Sequence, residues 1–116
     1  MTDPKTPAQL ADDAAEAIRA LNHATQSQRP GWKYPSDAYS VVGALARMAA
    51  GLPQALDQIG YLPESMVSNL RSDRGTLDSD LSDTYEALAD AHDAAEALRK
   101  ALDRAHSGLS PIAYQD

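Results

Sequence analysis

Residues 76–106 read TLDSDLSDTYEALADAHDAAEALRKALDRAH, and this stretch decides the fold class. Leu77, Leu81, Thr84, Leu88, Ala91, Ala95, Leu98, Leu102 and Ala105 recur at alternating spacings of four and three. That is a sustained heptad stripe, the pattern of a long helix that buries one seam. Ser107-Gly108 supplies a C-terminal cap signal and Pro111 bars continuation. A helix over 76–106 is about 46 Å long at the usual rise of about 1.5 Å per residue.

The charges along this helix are ordered. Asp78, Asp80, Asp83, Glu86, Asp90, Asp93 and Glu96 precede Arg99, Lys100 and Arg104. Acids near the start and bases near the end complement the helix dipole, with Glu96 and Lys100 spaced as an i,i+4 pair. A solvated face explains the acidic run better than an acidic docking surface does.

Working outward, Thr6-Pro7-Ala8-Gln9 is a helix start: Thr6 caps, Pro7 occupies the first helical position and Gln9 closes a capping box. Leu10, Ala14, Ala17, Leu21 and Ala24, widened by Ile18, give a stripe that predicts a helix over 7–27, about 32 Å long. Gln28–Tyr34, QRPGWKY, is a loop by its Pro-Gly pair. Ala38, Val41, Val42, Leu45, Met48, Ala49 and Leu52 place a second helix from about residue 36. Gly51 and Pro53 predict a break there, with a short helix to Gly60; a single kinked helix over 36–60 is the alternative. Residues 63–75 read as one short helix and a loop.

The fold class expected is all-α: a small antiparallel helical bundle of three to four helices with a long C-terminal heptad-patterned, coiled-coil-like helix. One domain spans 6–108, between a disordered tail at 1–5 and a C-terminal tail at 109–116. Helix 1 against the last helix, with 36–60 as a third element, is the expected packing. Of the 43% hydrophobic residues, alanine supplies about half, and with no Phe and a single Trp the core is expected to be thin.

A net charge of -7 disfavours a nucleic-acid partner, which needs clustered Lys and Arg. The absence of Cys removes disulfides, thiolate metal sites and Cys nucleophiles. No apolar run is long enough to span a membrane. The polar, acidic start MTDPKTPAQLADD lacks the pattern of a signal peptide, so the cytoplasm is the simplest location.

No constellation of catalytic residues emerges, so the chain reads as a non-enzyme without cofactors. His92 with Glu96, and Asp103 with His106, have metal-ligand spacing, but each offers only two ligands, and helix 1 contributes only His23. A helix-turn-helix drawn through helix 2, Gly51 and residues 53–59 would place Asp57 on its reading helix, with only Gln54 and Gln58 suited to base edges.

Two candidate surfaces remain. Arg29, Trp32, Lys33, Tyr34 and Tyr39 concentrate aromatic and basic side chains in an otherwise acidic chain, which suits partner binding. The competing reading makes Trp32 and Tyr34 a lid on the end of the bundle. The stripe of the last helix, represented by Leu81, Leu88, Leu98 and Leu102, outruns its neighbours and suits self-association or a helical protein partner, most simply as a homodimer.

The stretch Trp32–Leu62, WKYPSDAYSVVGALARMAAGLPQALDQIGYL, followed by an acidic Ala-rich helix, resembles small Ala-rich helical proteins of actinobacteria, often encoded near mobile elements. That resemblance implies no activity. In size, lack of Cys and a Gly31-Trp32 turn between helices, the chain is also similar to the two-helix proteins exported by type VII secretion. Those carry Trp-x-Gly and an acid at the fourth position after a Tyr, and this chain has neither. The function expected is a non-enzymatic helical interaction module. The alternatives are an accessory regulator of a DNA-associated complex, acting through the Arg29–Tyr39 patch, and a small exported effector.

Overall fold

The computed structural model describes residues 3–26 and 30–115, and among them the regular structure is entirely helical. Three long helices, α1 (Pro7–Ala24), α2 (Pro35–Ile59) and α4 (Leu77–Leu109), and the single-turn α3 (Glu64–Val67) follow in chain order. Internal contacts divide the chain into two units, Met1–Ala38 with Ala113–Asp116, and Tyr39–Ile112. The boundary falls within the second turn of α2.

In the first unit, α1 starts as its sequence dictates. The Gln9 N–H donates to the Thr6 hydroxyl at 3.1 Å, and the Thr6 N–H donates to the Gln9 side-chain oxygen at 2.8 Å. This satisfies amides that the first turn would otherwise leave unpaired. The helix stops at Ala24, short of residue 27: Thr25, at φ -96° and ψ 8°, leaves the helical path, while its N–H and its hydroxyl both donate to the Leu21 carbonyl, at 3.0 and 2.9 Å.

In the second unit, α2 and α4 run antiparallel. Gly43, early in α2, lies under His106 near the end of α4, while Asp57, late in α2, faces His92 in the middle of α4. The buried face of α2 is Gly43, Ala46, Ala49 and Pro53, and α4 contributes Ala95. Among the described residues the buried apolar side chains are those of Ala46, Ala49, Pro53 and Ala95, and no large side chain is fully buried. A seam of such small residues lets two backbones approach closely, and close packing substitutes for volume.

The break expected between Gly51 and Pro53 is absent: α2 is one helix of 25 residues that contains Pro53. Pro53 removes one helical hydrogen bond, but it is buried on the same face as Gly43 and Ala49, between the two contacts with α4. Packing along the seam outweighs the local signal. The helix-turn-helix drawn through this segment therefore has no turn to use. At the other end, α4 continues past His106 to Leu109, because Gly108 stays helical; the left-handed glycines among the described residues are Gly31 and Gly75. Pro111, not Gly108, is what stops it. With 33 residues, α4 is about 50 Å long, against about 37 Å for α2.

Candidate partner-binding surfaces

The loop before α2 is held by its own residues. Asp37, in the first turn of α2, accepts the backbone N–H groups of Lys33 and Tyr34, both at 2.9 Å, through one carboxylate oxygen. These two bonds, Lys33's first, hold the Asp37 carboxyl below its ordinary value, because they favour the charged form. Gly31 takes φ 83°, a conformation that a side chain would strain, and so turns the chain into Trp32.

Trp32 is half-buried, whereas Lys33 and Tyr34 are exposed. Together with Ala38 they line a hollow of about 150 Å³. Tyr114 braces this turn: its ring meets Tyr34 edge-on with centroids 5.5 Å apart, and its hydroxyl donates to the Lys33 carbonyl. Sequence reading assigned Tyr114 to a tail and missed this role, which rests on a contact 81 residues apart in the chain. Of the candidate patch, Trp32, Lys33 and Tyr34 thus share one turn. Tyr39 belongs to the second unit and stacks on His106 at a centroid distance of 4.0 Å. Arg29 lies outside the described residues.

On α4 the candidate stripe divides. Leu81, Leu88 and Leu102 are half-buried; Leu88 lines a groove with Leu56, Gly60, Tyr61 and Tyr85 against the end of α2. Leu98 remains 44% exposed. The less exposed face of α4 follows Leu81, Tyr85, Leu88, His92, Ala95, Arg99, Leu102, His106 and Leu109, one residue out of phase with half of the predicted stripe. The other flank, Thr84, Ala87, Ala94, Leu98, Ala101 and Ala105, is exposed, with Ala91 at its edge.

The charges beside that exposed flank are unevenly used. Arg99 is held by Glu96 and Asp103, both at 3.2 Å, so Glu96 pairs with Arg99 rather than with Lys100 as its spacing suggested. Lys100 and Arg104 make no ion pair among the described residues. Asp83, Asp90 and Arg104 lie along one edge of the flank, separated by multiples of seven.

The residues with metal-ligand spacing have other partners. Glu96 and Asp103 bind Arg99, while His92 sits between Asp57 at 3.5 Å and Asp93 at 3.3 Å. Among the described residues no group of three metal-ligating side chains stands together. A polar knot that sequence reading missed joins the loop before α4 to its first turn: Asp80 accepts from Ser72, Thr76 and Arg74. The hydrogen bond from Ser72 leads in keeping its carboxyl below the ordinary value. No described helix is long and apolar enough to cross a membrane. No family model matches the chain, and no curated protein or solved structure matches it either.

Proposed function

We propose that this protein is a non-enzymatic helical interaction module that self-associates through the exposed flank of α4. The observation that carries the reading is Leu98, 44% exposed at the middle of an Ala-rich heptad flank on the longest helix. Alanine at the surrounding positions permits a second helix to approach closely, and Leu98 supplies the apolar anchor.

Charge selects the orientation. A parallel pair of α4 helices would align acidic halves with each other. An antiparallel pair centred on Leu98 instead sets Asp90 of one copy near Arg104 of the other, and Arg104 has no ion pair of its own among the described residues. Burying Leu98 from each copy contributes about 1.5 to 3 kcal/mol per side chain. Ala surface and the edge charges supply the remainder of the roughly 8 kcal/mol that a micromolar contact requires.

Light scattering on the full chain at tens of micromolar tests the reading. The expected mass is that of a dimer, reverting to a monomer in Leu98→Asp, a substitution at an exposed position that leaves the α2–α4 seam untouched. A monomeric parent would retire the self-association, and a dimer indifferent to Leu98→Asp would place its interface elsewhere.

A second surface favours a heterologous protein partner. Trp32 is half-buried beside exposed Lys33 and Tyr34, on a turn fixed by Asp37 and Tyr114, which is how an anchor with low ordering cost is built.

A further inference from the structure

Within the second unit, Tyr39, Ser40, Gly43 and Arg47 follow one another along one face of α2, and His106 of α4 lies across from them. These residues line an open cleft of about 370 Å³. Every functional group in that lining is a hydrogen-bond donor or can become one: a guanidinium, an imidazole and two hydroxyls. No carboxylate lines it.

The cleft owes its form to Gly43. A Cβ built there would stand 2.8 Å from Nε2 of His106, so the imidazole rests against the α2 backbone only because residue 43 has no side chain. Tyr39, one turn before Gly43 on α2, stacks on the ring with an interplanar angle of 24°. The ring is thereby positioned, yet neither of its nitrogens makes a hydrogen bond among the described residues. Arg47 likewise makes no ion pair there, in a chain whose net charge is -7. The nearest acid along α4, Asp103, one turn before His106, is neutralised by Arg99 at 3.2 Å.

The geometry points to a binding site for a small phosphate monoester at this cleft, with Arg47 and His106 holding the phosphoryl oxygens. Guanidinium binds phosphate through paired charge-assisted hydrogen bonds, which an ammonium does less specifically. Ser40 and Tyr39 present hydroxyls to the same group. The volume exceeds what inorganic phosphate fills and lies at the lower end of the range for small-molecule sites, about 300 to 1,000 Å³. The organic part of the ester packs on Tyr39, which is 39% exposed.

Titration of the ¹⁵N-labelled full chain with phenyl phosphate, inorganic phosphate and phenol, followed by amide and His ring resonances, tests this. Phenyl phosphate is expected to give saturable shifts confined to residues 39–47 and 102–109. Inorganic phosphate should bind more weakly at the same residues, and phenol should leave them unmoved. Arg47→Gln, at an exposed position where the helix is not at risk, should weaken phenyl phosphate at least tenfold; Arg71→Gln should not. Shifts that fail to saturate at tens of millimolar, that spread equally to Lys100 and Arg71, or that persist in Arg47→Gln would overturn the assignment.

Discussion

Gly43→Ala and Gly51→Ala are the same chemical change in the same helix, and the structure assigns them opposite signs. In an exposed helix interior, replacing Gly by Ala stabilises by about 0.8 to 1 kcal/mol, because Ala loses less backbone entropy on folding. At Gly51 a new Cβ meets nothing within 4 Å, so the full gain of about 1 kcal/mol is expected. At Gly43 the Cβ would stand 2.8 Å from Nε2 and 3.2 Å from Cδ2 of His106. The imidazole cannot simply slide off, since Tyr39 stacks on it at 4.0 Å. Overpacking of this kind costs about 1 to 3 kcal/mol, which outweighs the helical gain and leaves a net loss of about 1 kcal/mol. The two variants should therefore differ by roughly 2 kcal/mol, on the order of 8 °C in Tm for a chain of this size. In a His106→Ala background the clash is gone, and Gly43→Ala should turn stabilising, a coupling of about 2 kcal/mol between the sites. Urea denaturation followed by far-ultraviolet circular dichroism, at one fixed protein concentration, reads all of these. The reasoning fails if Gly43→Ala stabilises as much as Gly51→Ala does, or if its sign is the same with and without His106.

Pro53→Ala restores a helical N–H for the Ala49 carbonyl at the loss of some buried ring contact; with an interior proline costing about 3 kcal/mol, a net gain of about 1 to 2 kcal/mol is expected in the same urea titration. For Asp37 the native carboxyl titrates below its ordinary 3.8, so the stability it contributes is complete above that value and is lost as pH falls through the lower native one. Asp37→Asn should accordingly flatten the acid limb of a plot of urea midpoint against pH and be least stable relative to the parent at neutral pH. Trp32→Ala should weaken capture of a heterologous partner from the native host more than His92→Ala does, with both variants folded by circular dichroism; equal loss would move the contact away from the Trp32 turn.

The features that were legible in the sequence are those closed by local chemistry. The Thr6–Gln9 capping box is a reciprocal pair three residues apart, and no distant contact competes with it. The all-helical character follows from alanine content and periodicity in the same way. The misread features are those where a local signal met a packing demand. Pro53 did not break α2 because its ring lies on the buried seam, and Gly108 did not end α4 because nothing drew the chain into a left-handed turn. The stacking of Tyr39 on His106 and the tie from Tyr114 to the Lys33 carbonyl join residues far apart in the chain, and no spacing rule points to either.

The phase of α4 shows why an Ala-rich helix conceals its own core. Where Leu and Ala alternate on a stripe and Ala also fills the neighbouring positions, hydrophobicity alone does not distinguish the inward edge from the outward one. Volume does. The seam of α2 offers Gly43, Ala46 and Ala49, with hardly any side chain between backbone and neighbour. The edge of α4 that turns toward it therefore carries the larger groups, Tyr85, His92 and His106, alternating with Leu88, Ala95 and Leu102. Large against small fills the interhelical space at native density, whereas small against small would leave it empty. The consequence is that the Ala-dense edge, from Thr84 to Ala105 with Leu98 at its centre, is the one left outside. Alanine is inexpensive to expose, and it is also the side chain that best admits a second helix. The asymmetry that builds the seam within one chain thus leaves the Ala-dense edge of α4 bare, the edge that the proposed antiparallel contact would use.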